Sequence, residues 1–110
     1  MRERGGMLES KFQSEVIQDL TEMFGEFHKG GCMILLNDAE YMQGIPDILI
    51  LYKDKWAMLE VKRRRPTRPE DYRPNQEWYI DMLDKMSYAS VIYPGNKEMV
   101  YDDLQRTFRP

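Results

Sequence analysis

The chain predicts a single α/β domain on three observations. Two stretches carry apolar residues at helical spacing, and four short apolar runs bounded by Gly, Pro, Asn or Asp read as strands. Its 110 residues suffice for one hydrophobic core but not two. With 42% hydrophobic and 32% charged residues, the composition is that of an ordinary globular protein rather than a disordered one.

Residues 1–8 lack the apolar centre of a secretion signal and are expected to be a flexible tail on a cytoplasmic protein, with the folded domain spanning 9–110. Ser10 and Gln13 form a capping-box pattern. Phe12, Val16, Leu20 and Phe24 then recur every fourth residue with Ile17 and Met23 beside them, predicting a helix from Lys11 to Phe24. Gly25 ends it, Gly30-Gly31 turns the chain, and Cys32 to Leu36 reads as a buried strand. After the polar connector Asn37 to Gly44, Ile48 to Tyr52 is a second strand, opened by Ile45-Pro46. Lys53-Asp54-Lys55 separates it from a third, Trp56 to Lys62, and the two should form a hairpin.

Arg63 to Arg73, with Pro66 and Pro69 among charges, predicts an exposed loop. Pro74 suits a first helical position, and Gln76, Tyr79, Ile80, Leu83 and Met86 follow at helical spacing, giving a helix from Pro74 to Met86. Ala89 to Tyr93 is a fourth strand ending at Pro94-Gly95. Asn96 opens either a last helix through Leu104, with Val100 inward, or a short edge strand over Glu98 to Tyr101.

The longest clearly apolar run, Ile48 to Tyr52, is far too short for a membrane helix, so no membrane partner is expected. Single residues of cysteine, Cys32, and histidine, His28, exclude disulfide frameworks and Cys/His zinc sites, and no third group orients the pair as a nucleophile. The net charge of −3 argues against a protein that coats nucleic acid indiscriminately. Yet Lys62, Arg63, Arg64, Arg65, Arg68 and Arg73 face only Glu70 and Asp71 within residues 61–75, a local excess of four positive charges that leaves the rest of the chain at −7. That distribution suits a polyanion touched through one patch and repelled elsewhere.

In the predicted hairpin, a two-residue loop at Lys53-Asp54 sets Asp47 opposite Glu60, and one at Asp54-Lys55 sets it opposite Lys62. Either register gathers the three side chains on one face, whereas a three-residue loop without a bulge would pair Asp47 with Val61 and turn its carboxylate away. Two carboxylates and a lysine converging on a sheet are costly to bury without compensation. A divalent cation with hard oxygen ligands, Mg2+ or Mn2+, supplies it, while the lysine can hold a water for attack on phosphorus. No organic cofactor is called for.

Gly44-Ile45-Pro46-Asp47, then twelve residues, then Glu60-Val61-Lys62 resembles the PD-(D/E)xK nuclease signature, and the element order is similar to that superfamily's core. Gln76 matches the glutamine that follows this motif in the VRR-NUC family and in archaeal Holliday-junction resolvases. The resemblance spans Glu9 to Leu104 and is greatest to the compact stand-alone VRR-NUC proteins of phages. It implies a restriction-endonuclease-like core, a mixed four-stranded sheet flanked by helices in the order αβββαβ(α). Asp47, Glu60 and the Val61 carbonyl would ligate Mg2+ or Mn2+, Lys62 would position the attacking water, and Gln76 would orient Lys62 or a phosphate. Glu15, as the helix-borne acidic residue, would hold a second metal or an outer water.

Arg63, Arg64, Arg65, Arg68 and Arg73 would contact DNA, in a segment richer in Arg and Pro than the glycine-containing turn the family often has there. Trp78 and Tyr79 offer base stacking, core packing or dimer contacts. The function implied is a metal-dependent DNA endonuclease acting on Holliday junctions, flaps or other branched DNA, as a homodimer whose two sites cut opposing strands. The alternatives are a non-catalytic nucleic-acid- or protein-binding module on the same fold, which has no need of buried like charges, and a plain structural domain, which leaves their clustering unexplained.

Overall fold

The structure is a computed structural model that describes residues 2–110, with side chains from Glu9 onward. The flexibility expected of residues 1–8 lies outside what is described in full. The elements run α1 (Arg2–Phe24), β1 (Met33–Leu36), β2 (Ile48–Tyr52), β3 (Lys55–Val61), α2 (Gln76–Met86), β4 (Ala89–Ile92) and α3 (Lys97–Phe108). The strands form one sheet in the order β1-β2-β3-β4. β1, β2 and β3 are antiparallel neighbours, and β4 joins β3 in parallel after the crossover through α2, so the sheet is mixed. Among the described residues no helix is long and apolar enough to cross a membrane.

Strand alternation sorts the sheet into two faces. Ile48, Ile50 and Tyr52 of β2 and Ala57, Leu59 and Val61 of β3 are buried in one cluster with Phe12, Val16, Leu20 and Phe24 of α1 and Val100, Leu104 and Phe108 of α3. The period-four stripe predicted for the first helix is therefore its core face. α2 reaches the opposite face, where it packs on β3 and β4. At one end of the core the rings of Phe24, Tyr52 and Phe108 lie 5.2–5.5 Å apart, and the Arg109 guanidinium sits 5.0 Å from the Phe24 centroid. This aromatic corner fastens the end of α3 to the sheet.

Several boundaries differ from expectation. α1 is already under way at Ser10, so Ser10 and Gln13 lie inside the helix and cap nothing. Pro74 is not the first helical residue: Asn75 intervenes as the N-cap with φ +71, a left-handed conformation that Asn tolerates better than most residues. Of the two readings of the C-terminal segment, helix is the one adopted, and it runs past Leu104 to bury Phe108. Asn96 does not cap that helix with its side chain; it ties β4 down instead, accepting from the Tyr93 N–H at 2.8 Å and donating to the Val91 carbonyl at 3.0 Å.

Candidate active site

The turn between β2 and β3 decides whether a site exists. It is a two-residue loop, Lys53-Asp54, with Lys53 at φ +59, and the ladder runs from Tyr52↔Lys55 to Ile48↔Leu59. Continued by one residue, that register sets Asp47 across from Glu60, the first of the two productive arrangements. Asp47 is fixed there from three sides. Its Oδ2 accepts from the Val61 N–H at 2.9 Å, and its carbonyl accepts from the Asn37 N–H at 2.9 Å. The Asn37 side chain also donates to the Pro46 carbonyl at 2.8 Å.

Gly44 joins this segment to the start of α2. Its φ is +93, and a Cβ there would lie 2.5 Å from the Pro74 carbonyl oxygen and 2.8 Å from the Asn75 Cβ. Only glycine lets the Gly44-to-Asp47 segment touch the turn that delivers Gln76.

Glu60 and Gln76, each only 2% exposed, are the buried polar residues among those described. Gln76 Nε2 donates to Glu60 Oε2 at 2.8 Å, while its Oε1 accepts from Lys62 Nζ at 3.0 Å and from the Arg73 N–H at 2.9 Å. Lys62 Nζ lies 3.8 Å from Glu60 Oε2 and 5.7 Å from the Tyr72 ring centroid. Gln76 thus bridges carboxylate and ammonium and holds Lys62 in place. Glu60 Oε1 has no hydrogen-bond partner although it is buried. Burial, and after it the negative charge of Asp47, push the Glu60 carboxyl up to about 8, against the pull of Lys62 and Arg73.

Among the described residues no cluster of three or more His, Cys, Asp or Glu side chains could enclose a metal. Two carboxylates on one face of the hairpin, one of them with an unpartnered buried oxygen, remain. This is a sparse, hard-oxygen donor set of the kind Mg2+ accepts because it keeps several of its waters. The Val61 carbonyl, the third ligand implied by the resemblance, belongs to the residue whose N–H anchors Asp47.

A cleft of about 180 Å³ opens beside Lys62, walled by Arg63, Arg64, Arg65, Pro66 and Asp71 on the loop side and by Glu9 of α1. The α1 carboxylate that lines this cleft is Glu9, whereas Glu15 lines a neighbouring cavity. Glu15 is half-exposed and engaged by Lys97 of α3 at 2.6 Å, outside the Asp47/Glu60 cluster. Arg68 is diverted as well, paired with Asp71 at 3.1 Å. Asp71 also accepts from the N–H groups of Thr67 and Arg68 at 2.9 and 3.1 Å, bonds that hold its carboxyl down to about 2 and order the loop. Arg73 contributes its charge near Glu60 and its N–H to Gln76. Trp78 is 60% exposed and Tyr79 half-buried, so Trp78 is not a core residue. Compared with protein-family models, curated proteins and solved structures, the chain matches none.

Proposed function

We propose that this chain is a metal-dependent endonuclease of the PD-(D/E)xK type, a VRR-NUC-like domain on a restriction-endonuclease-like core that hydrolyses phosphodiester bonds in branched DNA. The observation that carries the reading is Glu60: a buried carboxylate beside Asp47 with one oxygen unpartnered, bridged through Gln76 to a lysine at the mouth of an arginine-lined cleft. A purely structural site gains nothing from burying one carboxyl against a second carboxylate whose charge opposes its ionisation.

Asp47, Glu60 and the Val61 carbonyl would hold Mg2+ or Mn2+. The ion would supply positive charge against the charge that develops on phosphorus and make water a better nucleophile at neutral pH. Lys62 positions the attacking water, and its ammonium faces the non-bridging oxygens of the phosphate. Gln76 orients Lys62, since its carbonyl oxygen is already committed to the ammonium. Arg63, Arg64 and Arg65 grip the backbone on the substrate side. Hydrolysis then joins the water oxygen to phosphorus and releases the leaving oxygen with a proton.

A homodimer in the cytoplasm, of a bacterial host if the chain is phage-encoded, completes the proposal. The exposed stripe Trp78, Met82 and Met86 along α2 supports a self-contact, because these residues recur every fourth position without cover. The test is incubation with linear duplex, flap and four-way-junction DNA in Mg2+, in Mn2+ and in EDTA, with Asp47→Ala as the control for contaminating nuclease. Metal-dependent cleavage lost in the control is expected. Binding without cleavage in either metal would overturn the nuclease reading in favour of a binding module.

A further inference from the structure

Across the arginine ridge from the catalytic cleft lies a second, larger cavity of about 430 Å³. Lys11, Phe12 and Glu15 of α1, Arg63 and Arg64 of the loop, and Pro94 line it, and it opens to solvent. Its floor is apolar, built on Phe12 and Pro94, and its rim is cationic. The one carboxylate on that rim, Glu15, is paired with Lys97 at 2.6 Å, an ammonium that also reaches Asp19 at 3.5 Å. Among the described residues no ion pair engages Lys11, Arg63 or Arg64. The volume falls in the range of small-molecule sites, roughly 300–1,000 Å³.

Arg63 and Arg64 line both cavities. A phosphate backbone held on this ridge presents one phosphate toward Lys62 and leaves the adjoining nucleoside facing the apolar floor. A flat group with apolar faces, tethered to an anion, fits such a cavity, and a nucleobase on its sugar-phosphate has that chemistry. A base inside a duplex is stacked and paired, and extruding it carries a cost that an unpaired position does not.

Resting on the nucleic-acid reading of the loop, we infer that this cavity takes an unpaired DNA base beside the phosphate that is cut. The chain thereby selects flaps and splayed arms over continuous duplex and over four-way junctions in which every base is paired.

The experiment measures binding to the parent protein in EDTA by fluorescence anisotropy. The DNAs are a flap with 2-aminopurine at its first unpaired position, the same flap with an abasic site there, and a duplex of equal length. The abasic flap is expected to bind about tenfold more weakly than the intact one, the scale of one lost base contact, and 2-aminopurine emission should change on binding. Glu15→Trp, which fills the cavity from its rim, should erase the difference between the two flaps, whereas Glu15→Gln should preserve it. Equal affinity of the parent for both flaps with unchanged emission would overturn the inference, and that comparison needs no variant. Cleavage of the same flap in Mg2+ or Mn2+ separates the two proposals. Cleavage with equal binding of both flaps refutes the cavity assignment alone; base-dependent binding without cleavage supports the cavity and refutes the nuclease.

Discussion

Replacing Glu60 with glutamine keeps the shape of the site and removes its buried charge. The glutamine carbonyl can still accept from Gln76 Nε2, leaving its amide nitrogen in the place of Oε1 to donate toward Asp47 as a protonated Glu60 would. In the folded parent this carboxyl is raised to about 8 from an ordinary 4.5, by burial first and the charge of Asp47 second. The folded state therefore keeps a proton that the unfolded chain gives up. The stability linked to that proton is fully present below 4.5 and is lost as pH climbs toward 8. At about 1.4 kcal/mol per pH decade, the parent loses roughly 4 kcal/mol over this window and the variant loses none of it.

Thermal melts followed by circular dichroism from pH 5 to 9 in EDTA read this directly. One kcal/mol moves the midpoint of a domain this size by roughly 4 °C, so Glu60→Gln should melt more than about 10 °C above the parent at pH 8 and within a few degrees of it at pH 5. Mg2+ should close the gap by stabilising the parent alone, because only the ionised pair offers a cation its ligands. Activity should be abolished in the more stable protein. Parallel pH profiles for the two proteins in EDTA would refute the claim that Glu60 is a strained carboxylate waiting for a cation.

Lys62→Ala should retain Mg2+ binding by calorimetry and lose turnover, and metal affinity lost with Lys62 would contradict its assignment to the attacking water. Gly44→Ala should cost at least about 2 kcal/mol in chemical denaturation, since the left-handed φ and the contact with Pro74 must both give way, and activity should fall with the displaced Gln76. Glu9→Gln should lower turnover while Glu15→Gln leaves it unchanged, and the reverse pattern in a cleavage assay would return the helix acid to Glu15. Neutralising Arg63, Arg64 and Arg65 together should shallow the slope of log affinity against log salt by roughly 2 to 3, at ~0.9 per lost phosphate contact. An unchanged slope would remove this loop from the DNA interface.

The features legible in the sequence were those a period carries. The stripe Phe12, Val16, Leu20 and Phe24 marked the buried face of α1, and alternation along β2 and β3 put Asp47, Glu60 and Lys62 on one side because a strand has only two sides to choose from. Two things were not legible. The register rested on a turn of three polar residues with no Asn-Gly or Asp-Gly to fix it, and the left-handed Lys53 that sets it carries no sequence mark. Glu15 was expected from the resemblance alone, and the cap pattern at Ser10 and Gln13 set the predicted helix start at Lys11, after Glu9. With α1 already under way at that point, the ordinary advance of about 100° per residue sets Glu9 within roughly 20° of Val16 and 60° of Phe12, inside the buried stripe one turn ahead of it. Glu15 falls roughly 100° from Val16 and 60° from Phe12, on the flank that α3 covers with Lys97. A carboxylate inside an apolar stripe, rather than at its edge, is what sets Glu9 apart from Glu15 once α1 is seen to pass through it.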